Sequence, residues 1–163
     1  YTAVIRGTPI VVQLLIMYNI ILVAVPDDLV LITAVLTFGI NSGAYVSEII
    51  RGGIQSIDRG QMEAGRSLGL TQGQTMKSII LPQAVKNILP ALGNEFIALL
   101  KETSVVGYIA VLDLTRAADL VKSRTFEPFF PLISIAVIYF ILVMGISKLI
   151  KIAERRLAKS DRR

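Results

Sequence analysis

Three long apolar runs, Ile10–Val25, Leu29–Val46 and Phe129–Ile150, constrain this chain more than any other feature. Wound as α-helices, the first two reach about 24 and 27 Å, close to the roughly 30 Å hydrocarbon layer of a bilayer. Only 18% of the residues are charged and the mean hydropathy is +0.66, whereas soluble domains carry about a quarter charged residues. The expected class is therefore an all-α integral membrane protein with a single transmembrane domain over residues 1–163. No cleavable signal pattern is legible, and the opening at Tyr1 reads as if an upstream part were missing.

The punctuation between the runs predicts where helices start and stop. Pro9, in Arg6-Gly7-Thr8-Pro9, suits the first turn of a helix. Arg6 reads as an interfacial anchor. Pro26-Asp27-Asp28 reads as a turn. Gly39 and Gly43 form a small-xxx-small pair that admits a close neighbouring helix, with Asn41 and Ser42 between them. Arg51-Gly52-Gly53 is expected to end the second helix and open a polar loop over residues 51–82. Within the loop, Asp58 is a candidate N-cap for a two-turn helix over Gln61–Leu68. Gly69 sits where a left-handed terminator is wanted. Thr71 and Gln74 fit a capping box that starts the next helix, and Pro82 and Pro90 are expected to bend or restart it. Ile88–Val106 is apolar but carries Asn94, Glu95, Lys101 and Glu102. Thr103–Arg124 is mixed and suggests short helices at or within the outer half of the membrane. Lys148–Arg163 reads as a basic amphipathic tail helix.

Charge sets the expected topology. Most of the 17 lysines and arginines fall before the first run, in the central loop or in the tail, and the turn at Asp27-Asp28 has none. The positive-inside rule then puts the loop and the C-terminus in the cytoplasm, with four crossings. The basic tail reads as a contact with anionic lipid. No aromatic interleaving accompanies the charges, which argues against nucleic acid.

Cysteine and histidine are both absent, which excludes disulfides, thiolate metal sites and histidine general bases. Gly65-Arg66-Ser67-Leu68-Gly69 matches a GxSxG nucleophile elbow, but no strand precedes it and no histidine can activate Ser67. No GxxxxGK[ST] loop is present, so the chain is expected to bind no ATP of its own. An enzyme is not the expected reading.

The loop resembles the cytoplasmic signature of ABC importer permeases, in which EAA is followed by three residues, a glycine, nine residues and I-x-L-P. Glu63-Ala64-Gly65, Gly69, Ile79 and Leu81-Pro82 stand at those spacings. Gly65 replaces the second alanine. Arg6-Gly7-Thr8-Pro9, Leu89 to Glu95 and Lys101-Glu102-Thr103-Ser104 are similar to the polar amino acid uptake branch. The resemblance implies a type I importer bundle, with about four spans here and one more upstream. It also implies a second permease subunit, identical or a sister. Two ATPase subunits that bind ATP and Mg²⁺, and a solute-binding protein, complete the implied assembly. Glu63, Ala64, Gly65, Ser67, Leu68, Gly69 and Leu70 would form the coupling helix and its corner. On this reading the small residues at 64, 65 and 69 let the helix lie deep in an ATPase cleft, Glu63 meets a basic residue there, and Leu68 and Leu70 grip.

Ionisable residues within a span are costly and face a cavity or one another. Asn94, Glu95, Lys101, Glu102, Asp113 and Arg116, with Asp119, are the candidate substrate path, because a zwitterion needs both signs of charge. Mutual pairing of these charges is the competing reading. Acidic surplus would suit a basic amino acid. An ion-coupled secondary transporter or channel subunit is the alternative function.

Overall fold

The computed structural model describes residues 1–24, 26 and 29–159, with side chains up to Glu154. The helices are α1 (Thr2–Arg6), α2 (Ile10–Ile16), α3 (Val30–Gln55), α4 (Arg59–Ser67), α5 (Gln72–Thr75), α6 (Leu81–Glu102), α7 (Leu114–Thr125) and α8 (Phe129–Lys159). A π-helical turn, Met17–Ile21, extends α2, another, Met76–Ile80, joins α5 to α6, and a 3₁₀ segment, Thr103–Ile109, follows α6. No strand occurs among the described residues. The expected turn at Asp27-Asp28 and the last residues, Ser160 to Arg163, lie outside them.

Two described helices are long and apolar enough to cross a bilayer, α3 and the Phe129–Glu154 part of α8. The first apolar run is helical only over Ile10–Ile21, shorter than a span. The run Ile88–Val106 lies mostly in α6, whose 22 residues include Lys86, Glu95, Lys101 and Glu102. Four helical crossings therefore reduce, by length and composition, to two clear ones.

Helix α3 is the centre of the bundle, and paired contacts fix the direction of its neighbours. Ser42 meets Glu95, Ser56 meets Asn87, and Gly53 meets Ile88. Rising numbers on one helix meet falling numbers on the other, so α3 and α6 are antiparallel. Tyr1 donates to the Ile40 carbonyl at 2.5 Å, and Arg6 pairs with Glu48 at 3.4 Å, so α1 runs parallel to α3. The chain then turns at Gly7–Pro9 and α2 runs back along α3. The core lies where α2, α3 and the 3₁₀ segment meet, around Leu14, Ala34, Phe38, Val106 and Ile109.

Several helix boundaries differ from expectation for packing reasons. Helix α3 continues through Arg51-Gly52-Gly53 to Gln55. Gly53 is needed there because a Cβ would strike the Ile88 side chain on α6. Its bare backbone lets the two helices approach, and the packing offsets the helix cost of glycine, about 1 kcal/mol. Pro90 sits inside α6 without ending it. Pro82 lies at its first turn, where a missing N–H is least costly, directly after the π turn. Gly93 admits Ile150 of α8, whose methyl would lie 2.6 Å from an added Cβ. By contrast, no atom of the chain lies within 4 Å of a Cβ at Gly39, and only the Tyr1 hydroxyl approaches Gly43. Among the described residues, the Gly39–Gly43 stripe thus has no close helix packed on it beyond the approach of Tyr1.

Candidate functional site

The central loop folds into a sharp corner. Asp58 caps α4 by accepting from the Gly60 N–H at 2.6 Å. The helix starts at Arg59, one half-turn earlier than expected, which places Glu63 in its second turn. Its end is a Schellman turn: the Leu70 N–H bonds the Gly65 carbonyl at 3.1 Å and the Gly69 N–H bonds the Arg66 carbonyl at 3.0 Å. Gly69 supplies the left-handed residue, at φ +84°. The capping box then forms in both directions. Thr71 Oγ1 accepts from the Gln74 N–H at 3.3 Å, and Gln74 Oε1 accepts from the Thr71 N–H at 2.8 Å. Such caps contribute about 1 kcal/mol each, so local chemistry ends one helix and starts the next at this bend.

The two faces of α4 differ. Glu63, Ala64, Arg66 and Ser67 are exposed, and Leu68 at the tip is 82% exposed. Gly65 is buried against the chain's own Thr75 and Ile79. Its smallness therefore serves the inside of the corner, not the outward cleft that the sequence suggested for it. Leu70 is half-buried and leaves Leu68 as the outward apolar group. The Ser67 hydroxyl donates to the Glu63 carbonyl at 3.0 Å, within its own helix.

The candidate path residues divide into two groups. Glu95 is half-buried and accepts from the Ser42 hydroxyl at 3.1 Å, while Asn94 beside it is exposed. Ser42 also lines an apolar groove of about 550 Å³ between α3 and α6. Further out, a polar cavity of about 330 Å³ is lined by Ser104, Tyr108, Thr115, Arg116 and Asp119. An adjoining cavity of about 340 Å³ shares Ser104 and Thr115 and reaches Lys101 and Tyr139. Lys101 and Arg116 thus line two neighbouring cavities that have Ser104 and Thr115 in common. Asp113 is engaged as the cap of α7, one carboxylate oxygen accepting from the Arg116 N–H at 2.8 Å. Its other oxygen is buried without a partner. Asp119 pairs with Lys122 at 2.6 Å. That hydrogen bond, with the charge of Lys122 behind it, holds the Asp119 carboxyl below its ordinary value. No cluster of three or more metal-ligating side chains occurs among the described residues.

Residues 1–159 match the family described as the inner membrane component of binding-protein-dependent transport systems. The chain belongs to this family. It is the permease subunit of an ABC importer, a membrane component that works with a binding protein. The putative glutamine transport system permease protein GlnP of Rickettsia typhi is 45% identical over 162 residues, covering 96% of this chain and 72% of that one. The arginine transport system permease protein ArtQ of Bacillus subtilis is 44% identical, covering 99% of this chain and 74% of that protein. A crystal structure of an amino acid ABC transporter with histidines superposes with a TM-score of 0.88 at 52% identity, covering 96% of this chain and 73% of that chain. The corner therefore sits in a type I permease bundle, as the EAA spacing implied.

Sequence reasoning missed several residues that organise this permease. Glu48 of α3 bridges Arg6 at 3.4 Å and Arg51 at 2.5 Å, and the Arg6 guanidinium lies 5.1 Å from the centre of the Tyr45 ring. Arg6 is thus a tie between helices. Gln13 donates to the Ile5 carbonyl at 2.6 Å and to Thr8, and accepts from buried Asn41 at 3.1 Å. It seals the turn between α1 and α2. A polar residue inside an apolar run was the available signal for Gln13. For Glu48, the signal was its i,i+3 spacing to Arg51.

Proposed function

We propose that this permease moves polar amino acids inward by alternating access, driven by a separate ATPase that docks on the α4 corner from the cytoplasm. The observation that carries the reading is the exposed tip of α4. Leu68 projects with 82% of its surface free at the end of a helix held by a Schellman turn and a capping box. An apolar knob on a rigid bend is suited to a partner's cleft. Glu63 and Ala64 share the outward side and complete the docking face. ATP and Mg²⁺ would be bound by the ATPase pair. Its closure would push α4, and the continuous α5–α6 arm would carry the displacement into the bundle as a rigid body.

The relatives are named for glutamine and for arginine transport, and polar or basic amino acids are the proposed substrate class. Glu95, steadied by Ser42, and the cavity-lining Lys101 and Arg116 supply the two signs of charge that a zwitterion needs. Asn94 and Glu102 flank that route, and Asp113 shapes it by capping α7. A second permease subunit, identical or a sister, and a solute-binding protein on the outer face complete the proposed assembly. The positive charge of the loop and tail supports a cytoplasmic position for α4 and the C-terminus.

The test is reconstitution with the ATPase and binding protein in proteoliposomes. Leu68→Asp and Glu63→Lys should each leave the permease inserted but lower uptake about tenfold or more at unchanged ATPase abundance. Normal uptake by Leu68→Asp would sink the docking reading. Glu95→Gln, measured against a panel of amino acids, should shift substrate preference away from basic side chains.

A further inference from the structure

Gly65 departs from the alanine that the motif leads one to expect, and the corner shows what the departure accommodates. Thr75, the last residue of α5, is fully buried beside it. A Cβ placed on Gly65 would lie 2.5 Å from Thr75 Cγ2 and 2.8 Å from Thr75 Oγ1. Both branches of the threonine thus face the glycine. Rotation about χ1 brings only one hydrogen into those two positions, so a heavy atom always occupies at least one. The hydroxyl is also held in place, donating to the Thr71 carbonyl at 3.0 Å. Ile79 Cδ1, at 3.2 Å, is the end of a flexible chain and can yield. The Gly65–Thr75 contact cannot yield without moving α4 away from α5 by about 1 Å, given that carbon atoms pack at roughly 3.5–4.0 Å.

We propose that Thr75 is the positioning residue of the coupling helix. Seated on the bare Cα of Gly65, its branched side chain fixes the angle between α4 and the α5–α6 arm, and with it the uptake obtained per ATP hydrolysed. This inference rests on the docking reading above. Thr75 acts through α4 and touches neither substrate nor nucleotide. Gly69 provides the bend but does not set its angle, because nothing lies within 4 Å of a Cβ there. Thr75 is the wedge that stops the bend from closing further. The glycine at 65 and the threonine at 75 therefore form a matched pair, one methyl-sized volume shared between two helices.

The experiment moves that volume from one helix to the other. In the reconstituted transporter, Gly65→Ala should lower uptake per ATP about tenfold, within the range by which residues remote from both sites modulate coupling. Gly65→Ala with Thr75→Ala should restore the ratio to within about twofold, because the methyl lost at 75 makes room for the one gained at 65. Should the single variant fail to insert, the double variant carries the test, since its packed volume is close to that of the native corner. A second readout is independent of docking. The chain has no cysteine, so spin labels at Arg59→Cys on α4 and Lys77→Cys on the π turn after α5 report the geometry of the corner. Their distance should shift or broaden in Gly65→Ala and return in the double variant. Normal coupling in Gly65→Ala, or a double variant no better than the single, overturns the proposal. If Leu68→Asp uncouples while Gly65→Ala does not, docking stands and the role of Thr75 falls. If Leu68→Asp has no effect, docking falls whatever the labels report.

Discussion

Helices α3 and α8 are the two clear membrane helices of this permease, yet they are built on opposite plans. The spanning window of α8 has a mean hydropathy of 2.6 and none of it is buried within the chain. That of α3 has a mean hydropathy of 1.5 and is 39% buried. The difference is polar and purposeful. Buried Thr33, Thr37 and Asn41 all belong to α3, and two of them are bonded, Thr37 to the Thr33 carbonyl at 2.7 Å and Asn41 to Gln13 at 3.1 Å. The Thr33 hydroxyl is buried without a partner. A helix that faces lipid can be read as hydrophobic and little more. A helix in the middle of a bundle spends hydrophobicity on contacts, and those contacts place the permease's charged groups.

The sharpest way to break this comparison is to truncate one large aromatic on each helix. Phe38 of α3 is 7% exposed and Phe140 of α8 is 64% exposed. Phe38→Ala should destabilise the permease by about 3–5 kcal/mol through the cavity it leaves. Phe140→Ala should change stability by less than about 1 kcal/mol, because lipid fills the space. Thermal unfolding in lipid nanodiscs measures both, and equal losses would mean that the two helices are not distinct in this way.

A smaller effect probes the polar interior of α3. Asn41→Leu removes the bond to Gln13 and frees the α1–α2 turn, at about 0.6–1.7 kcal/mol, from the average to the largest value measured for hydrogen bonds between membrane helices. Protection of the Gln13 side-chain amide against hydrogen exchange should fall with it. Unchanged protection would show that the turn is held without Asn41.

The smallest effect lies outside both spans, on α7. Asp119 has a folded pKa below its unfolded value, owing first to the Lys122 hydrogen bond and then to its charge. The pairing therefore contributes in full above the ordinary aspartate range and is lost as pH falls through the lowered value. Lys122→Gln should raise the Asp119 midpoint in a carboxyl NMR titration. No change would show that the pair does not form in the membrane-embedded protein.

Much of this was legible in residue order because it is local. Asp58, Gly69, Thr71 and Gln74 act on neighbours two to four residues away, so cap, terminator and capping box could be named before any coordinates. Helix α8 was legible for a different reason: a run of apolar residues needs no partner in the chain. The end of α3 was misjudged because two glycines in a row ordinarily break a helix. Here Ile88, 35 positions from Gly53, fills the place of its missing side chain. Of the four expected spans, Ile10–Ile21 departs most from a simple apolar helix, being short and ending in a π turn.

Sequence by itself determined that this chain is a helical membrane protein with a polar, capped corner between its apolar runs, because caps, periodicity and hydrophobicity operate over a few residues. Only the tertiary structure decided that Gly65 faces Thr75, that Glu95 is steadied by Ser42, and that Arg6 is tied to Glu48. Those pairings join positions from ten to more than fifty apart. Side chains so distant meet only once the helices have chosen their partners, and in a bilayer that choice rests on close packing and hydrogen bonds rather than on a general aversion to water.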